Sequence, residues 1–324
     1  MGLLTLHLLH RRYTCMFLDP VLGCNLRCRM CYFSDSDSRK NLHGVFSPED
    51  LEAWEQAVFP YLLKLQIGCG AEPTLYKSLA DIVKAGRAYG VPYISVTTNG
   101  NLLTPQWLSS LVDSGLNEIT ISLHGVCQAT YEHFMQGASY AKFVQLIEAL
   151  KAIKRSCPDF KIRINYTVNE DNVEDLRDFP LLFDGLSLDI VQLRPVQELG
   201  NSDYKNFSMA KVLACYDSCV MGVVDYCKDK GITCLYPSRD NIAALASKNT
   251  AEKTDHSNHA VDTIPHLYVA PWDGWKKQFD PYQESFYAYC RRTHRVWQLL
   301  KYAFGWKPRQ TDDRTKSMNY QVNG

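Results

Sequence analysis

The sequence of 324 residues lacks the features that mark membrane, secreted or nucleic-acid-binding proteins. No apolar run approaches the ~18 residues that a membrane-spanning helix needs. The opening residues lack the basic stretch and the small-residue cleavage site of a secretory signal. Its 35 lysines and arginines balance 35 aspartates and glutamates, so no overall charge attracts nucleic acid. We therefore expect a cytoplasmic globular protein that does not bind nucleic acid.

Short apolar runs alternate with amphipathic stretches from residue 13 to residue 194. This alternation predicts parallel strands joined by crossover helices. Ser47-Pro48 and Thr104-Pro105 are typical helix starts, each a capping residue followed by proline. Six β/α units with right-handed crossovers close only part of a barrel. The predicted fold class is α/β, a partial (β/α)6 TIM-like barrel, with strands at 13–19, 63–68, 92–98, 117–123, 160–168 and 188–194.

The alternation stops after Pro195, and a mostly helical extension is predicted beyond it, with a long helix at 208–230 and a short strand near 232–236. Polar residues dominate 247–263, which predicts a flexible loop. His256 and His259 lie there as an H-x2-H pair, too small on its own for a metal site. We expect a barrel domain at 1–198, a substrate-shaping or docking region at 199–310 and a disordered tail at 311–324.

Twelve cysteines are too few for a disulfide scaffold but many for a cytoplasmic protein, in which clustered thiols more often bind metal. Cys24, Cys28 and Cys31 form such a cluster, C-x3-C-x2-C, directly after the first predicted strand. A structural zinc site needs four ligands, and no further cysteine or histidine nearby completes one. Three thiolates suit a four-iron cluster with one iron open to a cofactor or substrate. Three unrelated buried cysteines are the alternative, although the motif lies at the strand end where barrel sites gather.

At these residues the sequence resembles the radical S-adenosylmethionine (radical SAM) superfamily, whose signature is C-x3-C-x2-C after the first strand of a partial (β/α)6 barrel. The second predicted strand ends in Gly68-Cys69-Gly70-Ala71-Glu72-Pro73, which is similar to the Gly-Gly-Glu-Pro motif of that family. The motif holds the methionine ammonium of SAM through close backbone approach and its acid. Gly70 and Glu72 match the motif, and Ala71 departs from it.

Later strand ends carry further similarities to positions that contact SAM in this family. The third predicted strand ends in Thr97-Thr98-Asn99-Gly100 and the fourth in Ser122-Leu123-His124-Gly125. At the end of the sixth strand, an arginine can pair with the SAM carboxylate in bidentate fashion. A purely structural role as strand-end hydrogen-bonding groups is the alternative for Thr98, Ser122 and Arg194. The SAM-binding residues implied in this way are Gly70, Glu72, Thr98, Asn99, Ser122 and Arg194.

The resemblance implies two cofactors, a [4Fe–4S] cluster on Cys24, Cys28 and Cys31, and SAM. In such enzymes one electron from the reduced cluster cleaves the SAM sulfonium, and the resulting 5′-deoxyadenosyl radical takes hydrogen from the substrate. A one-electron reductant such as a flavodoxin or ferredoxin is then an expected partner. A peptide is the first expected substrate, and a saccharide or lipid-linked molecule is the second. A non-enzymatic iron–sulfur or metal-binding module is the alternative from another class, because it needs the three cysteines but neither the Glu72 motif nor a barrel.

Five cysteines follow the predicted barrel and leave two interpretations open. Some relatives with a C-terminal extension bind auxiliary iron–sulfur clusters through such residues. Cys215 and Cys219, however, are four residues apart on the predicted helix and continue an apolar stripe, which favours core packing. We therefore expect packing rather than a second cluster for Cys215, Cys219, Cys227, Cys234 and Cys290.

The segment 289–309 is basic and rich in aromatic residues, and no acidic residue occurs from Ser285 to Thr311. A basic amphipathic segment can lie on an anionic membrane surface, whereas a terminal helix more commonly docks its apolar stripe on its own domain. We expect docking and keep peripheral membrane contact as the alternative.

Overall fold

A nine-stranded sheet organises the computed structural model, which describes residues 2–247, 266–297, 300, 304 and 320–323. The strands of this part of the chain are β1 (Thr14–Leu18), β2 (Arg27–Cys28), β3 (Leu62–Ile67), β4 (Tyr93–Thr98), β5 (Glu118–Leu123), β6 (Met135–Gln136), β7 (Lys161–Val168), β8 (Ile190–Pro195), β9 (Thr233–Pro237), β10 (His266–Val269) and β11 (Tyr320–Val322). Its α-helices are α1 (Gly2–Leu8), α2 (Ser36–Asn41), α3 (Pro48–Val58), α4 (Leu79–Ala88), α5 (Pro105–Asp113), α6 (Gln128–Phe134), α7 (Tyr140–Ser156), α8 (Phe179–Leu182), α9 (Ala210–Ala214), α10 (Met221–Asp229), α11 (Arg239–Ser247) and α12 (Phe286–Arg292).

The strands of the main sheet lie in the order β10, β1, β3, β4, β5, β7, β8, β9, β11. Every neighbouring pair from β10 to β9 is parallel, whereas β11 pairs antiparallel with β9. β2 and β6 form a separate antiparallel pair. Because the parallel strands end at one edge, the residues that follow them gather there. We call this edge the barrel mouth and define it by Asp19, Gly68, Asn99, His124, Asn169 and Val196.

The predicted α/β fold class is confirmed. The six predicted strands are β1, β3, β4, β5, β7 and β8, and the short strand expected near 232–236 is β9. The long helix expected at 208–230 is divided into α9 and α10 by a π-helical turn at Tyr216–Val220. β10 was not predicted, and it adds a strand from the C-terminal region beside β1.

Part of the expected disordered tail is ordered, because residues 320–322 form β11. The side chain of Asn323 fixes this strand: it accepts a hydrogen bond from the Cys234 amide (2.7 Å) and donates one to the Ile232 carbonyl (2.8 Å). β9, β10 and β11 thus join the barrel sheet from beyond residue 198. The division into domains at 198 and 310 stays a prediction.

The predicted helix starts are confirmed. The Ser47 hydroxyl accepts from the Asp50 amide at 3.1 Å before α3, and the Thr104 hydroxyl accepts from the Trp107 amide at 3.2 Å before α5. Such caps satisfy amide groups that the first helical turn leaves without partners. The predicted apolar stripe of α7 is buried in the common core through Phe143, Leu146, Ile147, Leu150 and Ile153.

α12 docks on the amino-terminal end of the barrel, as expected for the start of the basic segment. Phe286 and Cys290 are fully buried, and the Phe286 ring lies 6.0 Å from the Tyr13 ring and 5.8 Å from the Tyr61 ring. The Tyr13 hydroxyl lies 3.4 Å from Cys290 Sγ. No helix in the described part of the chain is long and apolar enough to cross a membrane. The remaining basic and aromatic positions Lys301, Trp306, Lys307 and Arg309, and also His256 and His259, lie outside the described residues.

Candidate functional site

The three motif cysteines follow β1 in one half-buried segment, residues 24–31, which includes the two-residue strand β2 and which we call the cysteine loop. The Cys31 amide donates to the Cys28 carbonyl at 2.8 Å, and the Leu26 amide approaches Cys24 Sγ at 3.4 Å. Burial raises the pKa of each thiol, to about 12 for Cys24. Without a metal the thiols are therefore protonated at neutral pH, and binding iron releases those protons because the thiolate is the ligand.

The chemistry of the three motif thiols fits a four-iron cluster. A structural zinc ion needs four ligands, whereas three thiolates suit a four-iron cluster because each binds a different iron. The donor set therefore matches the cluster that the sequence predicts for Cys24, Cys28 and Cys31.

The turn after β3 approaches its neighbours closely through glycine. Gly68 has a φ of +84°, and a Cβ there would lie 2.3 Å from the Thr97 carbonyl oxygen. A Cβ on Gly70 would lie 2.9 Å from the Tyr32 hydroxyl and 3.3 Å from Asp19 Oδ2. Glycine is required where backbone must pass this close to other atoms. Ala71, which departs from the family motif, lies between Gly70 and Glu72 in this turn.

Glu72 is a buried carboxylate that ties β3 to the end of β4. Its Oε1 accepts hydrogen bonds from the Thr98 hydroxyl (2.5 Å) and the Thr74 hydroxyl (2.6 Å), and its Oε2 accepts from the Asn99 amide (2.8 Å). Burial raises the pKa of Glu72, and these donors act in the opposite direction. One carboxylate thus brings Thr98 and Asn99 to the Gly70 turn.

Asn99 connects that carboxylate to the cysteine loop. Its amide donates to Glu72, while its side-chain Nδ2 donates to Asn25 Oδ1 at 2.8 Å and lies 3.9 Å from Cys24 Sγ. A hydrogen-bond donor near a ligating sulfur tunes the metal that the sulfur binds. The structure therefore brings four predicted SAM-binding residues, Gly70, Glu72, Thr98 and Asn99, next to the three cysteines.

Ser122 and Arg194 lie on other strands of the barrel. Ser122 is half-buried on β5, and Arg194 is exposed on β8. Among the described residues, neither makes a hydrogen bond or ion pair with the cysteine loop. His124 follows β5, and its Nδ1 is buried without a hydrogen-bond partner in the described structure. Burial, followed by the charge of Arg194, lowers the pKa of His124 to about 4, so its imidazole is neutral, and its Nδ1 accepts or donates a hydrogen bond according to the tautomer.

A polar cavity of about 290 Å³ opens between the strands. Amide and hydroxyl side chains dominate its lining, and aliphatic or aromatic ones do not contribute to it. One of its two arginines, Arg163, pairs with its carboxylate, Glu118, at 3.2 Å. The lining residues are Gln66, Thr97, Glu118, Thr120, Arg163, Asn165, Gln192 and Arg194.

Sequence reasoning missed two groups that hold the site. Asp19 directly follows β1 and is fully buried, and its carboxylate accepts hydrogen bonds from the Cys69 and Gly70 amides and from the Tyr268 hydroxyl. Asn169 directly follows β7 and is also buried, and its Nδ2 lies 3.2 Å from Sδ of Met30 inside the cysteine loop. An acidic or amide residue directly after an apolar strand was the available signal, and it marks both positions.

The cysteines after the barrel lie in the apolar core. Cys219, Cys227, Cys234 and Cys290 are buried, and Cys215 is half-buried against them. Four of them lie on the π-helical turn, α10, β9 and α12, and Cys215 lies between α9 and the π-helical turn, so the five do not share one loop. This arrangement agrees with the packing role expected from the sequence.

Known proteins resemble the chain over its barrel. The probable GTP 3′,8-cyclase of Metallosphaera sedula is 29% identical over 185 residues, which are 56% of this chain and 56% of that protein. The AdoMet-dependent heme synthase of Methanosarcina barkeri is 26% identical over 48% of this chain and 42% of that protein. The chain thus spans about half the length of the curated relatives it matches.

Solved structures share the fold. SuiB of Streptococcus suis bound to S-adenosylmethionine superimposes with a TM-score of 0.54 at 17% identity, over 69% of this chain and 49% of SuiB. The enzyme anSMEcpe with bound AdoMet gives a TM-score of 0.51 at 20% identity, over 65% of this chain and 62% of its own.

A family model, described as the radical SAM superfamily, matches residues 19–182, which contain the cysteine motif, the Gly70 turn and Glu72. This match covers half of the chain. The chain therefore belongs to the radical SAM superfamily, a family of enzymes that use a [4Fe–4S] cluster and S-adenosylmethionine.

Proposed function

We propose that this chain cleaves SAM reductively at a [4Fe–4S] cluster held by Cys24, Cys28 and Cys31. The observation that carries the proposal is the contact of Asn99 with both halves of the site, 2.8 Å from Glu72 and 3.9 Å from Cys24. When bound, the reduced cluster and SAM supply a carbon-centred radical that removes a hydrogen atom from the substrate. The protein supplies binding, orientation and exclusion of water.

The residues around the cluster have separate tasks in this proposal. Gly70 lets backbone approach SAM, and Glu72 holds the SAM ammonium while it fixes the strand ends of Thr98 and Asn99. Ser122 binds SAM from β5. Arg194 pairs with the SAM carboxylate, a role that its exposed guanidinium at the end of β8 supports. His124 Nδ1, buried without a partner in the described structure, offers one more hydrogen bond to the bound cofactor.

A peptide is our first proposal for the substrate. SuiB, which shares the fold with a TM-score of 0.51 in that complex, was solved bound to its precursor peptide SuiA. In this proposal the region 199–310 shapes the substrate site, and a flavodoxin or ferredoxin delivers the electron in the cytoplasm.

A saccharide is the second candidate, and the cavity supports it. Amide and hydroxyl groups such as those of Gln66, Thr120 and Asn165 pair with the hydroxyl groups of a sugar, whereas an apolar substrate group would leave them without partners. A lipid-linked saccharide would keep its lipid outside this cavity. The basic segment from Arg291 onward would then meet the membrane surface.

Anaerobic reconstitution with iron and sulfide, followed by SAM and dithionite, tests the activity. We expect about four irons and four sulfides per chain, the stoichiometry of the cluster, and formation of 5′-deoxyadenosine. The triple variant with Ala at Cys24, Cys28 and Cys31 is the control and should show neither. Stoichiometric zinc without sulfide would contradict the cluster, and a cluster without 5′-deoxyadenosine would favour a non-enzymatic iron–sulfur module.

A further inference from the structure

Tyr268 reaches the Gly70 turn from outside the part of the chain that the family model matches. It lies on β10, where it is opposite Phe17 of β1 in the parallel register. Its hydroxyl donates to Asp19 Oδ2 at 2.8 Å, and its ring stacks on Trp272 with a centroid distance of 5.9 Å. The family match ends at residue 182, so this contact belongs to the C-terminal region.

The same Asp19 carboxylate that bonds to Tyr268 also bonds to the turn after β3. Its Oδ1 accepts from the Cys69 amide at 2.8 Å and its Oδ2 from the Gly70 amide at 2.9 Å. Asp19 is fully buried and, among the described residues, forms no ion pair. A buried carboxylate without a cation depends on its hydrogen-bond donors, so each of the three holds Asp19 in place.

The opposite side of Gly70 is held by the residue that follows the cysteine loop. The Tyr32 hydroxyl donates to the Gly70 carbonyl, and Tyr32 directly follows Cys31. The space where a Cβ of Gly70 would lie is bounded by three oxygens, those of Tyr32 at 2.9 Å, Tyr268 at 3.2 Å and Asp19 at 3.3 Å. The amide and the carbonyl of Gly70 are thus both fixed, one by Asp19 and the other by Tyr32.

We propose that Tyr268 is a positioning residue for SAM, which acts through Asp19 on the backbone of Gly70. This inference rests on the proposed function, in which the Gly70 turn meets SAM. It adds that the C-terminal region completes the SAM site by supplying β10, in addition to any role with the substrate. A positioning role is assigned because the contacts of Tyr268 in the described structure are with Asp19 and Trp272.

The test compares two tyrosine-to-phenylalanine variants of the reconstituted full chain. Tyr268→Phe removes the hydroxyl from Asp19 and keeps the ring on Trp272. Tyr282→Phe is the matched control, since the Tyr282 hydroxyl also donates to an aspartate, Asp50 Oδ1 at 3.0 Å, but on the exposed surface. SAM affinity is measured by equilibrium dialysis and by the SAM concentration that changes the electron paramagnetic resonance spectrum of the reduced cluster.

We expect Tyr268→Phe to weaken SAM binding roughly three- to tenfold, part of the effect of losing one charge-assisted hydrogen bond. Iron content should equal that of the wild type, and Tyr282→Phe should bind SAM as the wild type does. Asp19→Asn should weaken SAM binding further, because the amide group places a donor against the Cys69 or Gly70 amide.

Three outcomes would overturn the inference in distinguishable ways. Wild-type SAM affinity in Tyr268→Phe, at full iron content, would leave the proposed function intact and remove the role of Tyr268. Equal loss of affinity in Tyr268→Phe and Tyr282→Phe would show a general effect of removing hydroxyls. A wild-type chain that holds the cluster but binds no SAM would overturn the proposed function and this inference together.

Discussion

Cysteines occur at the barrel mouth and in the C-terminal region, and the two groups differ in their surroundings. Cys24, Cys28 and Cys31 share one loop beside the polar side chains of Asn99 and Asn25. Cys227 and Cys234, in contrast, lie on a helix and a strand and are buried among apolar side chains. The difference shows that thiols become candidate metal ligands when they share a loop with polar neighbours. The number of cysteines in a chain does not by itself indicate a metal site.

The first prediction addresses the cysteines at the mouth. Cys28→Ala should lose nearly all iron and sulfide after anaerobic reconstitution, because two thiolates hold a four-iron cluster poorly. Iron and sulfide assays, together with visible absorbance, measure the loss. Cys157→Ala is the matched control, since Cys157 is also half-buried but ends α7 far along the chain from the motif. A Cys28→Ala protein with a full cluster would mean that the loop is not the iron site.

The second prediction concerns the packing of the C-terminal region against the barrel. Phe286→Ala should lower the free energy of unfolding by about 3–5 kcal/mol, the usual cost of emptying a buried phenylalanine site. Phe286 is fully buried between the rings of Tyr13 and Tyr61. Denaturant titration measures the change, and Trp297→Ala, at a half-exposed position, is the comparison. Unchanged stability with lost binding to anionic vesicles would favour the membrane interpretation of this segment.

Most of the barrel follows from the sequence, because its strands are local apolar runs between helix signals. Ser47-Pro48, Thr104-Pro105 and the α7 stripe each act within a few residues, and all three predictions are confirmed. β10 has no comparable signal, since its four residues follow a long polar stretch and pair with a strand about 250 positions earlier. Long-range pairing of short strands is decided by the assembled sheet rather than by local pattern.

The residues of the site also fall into those that local sequence predicts and those that it does not. The three cysteines lie in one short motif and Gly70 and Glu72 in another, and spacing and resemblance identify both motifs. Asp19 also stands at a strand end, but its hydrogen bond with Tyr268 forms because the parallel pairing of β10 with β1 brings the two residues together. Spacing therefore predicts the groups that share a loop, and topology is needed for those that meet from distant parts of the chain.

The third prediction compares the buried carboxylate of Glu72 with the half-buried carboxylate of Asp189. Glu72→Gln should weaken SAM binding about ten- to a hundredfold, the effect of losing a charge-assisted hydrogen bond worth ~1.5–3 kcal/mol, with the cluster retained. Asp189→Asn is the control, because Asp189 lies at the amino end of β8 with Lys154 (2.8 Å) and Lys161 (2.9 Å) and should affect stability alone. Equilibrium dialysis with SAM measures both variants. Equal SAM affinity in wild type and Glu72→Gln would mean that Glu72 only ties the strands together.

The last prediction returns to the C-terminal cysteines and expects a small effect. Cys227 is fully buried on α10, and its side chain meets Cys234 of β9. Cys227→Ala removes one sulfur from a packed contact and should cost about 1 kcal/mol of stability, as a typical buried substitution does. The iron content and the cluster absorbance of the reconstituted variant should equal those of the wild type. Loss of a further set of irons in Cys227→Ala, above the four held at the mouth in the cluster type expected here, would show that these thiols bind a second cluster.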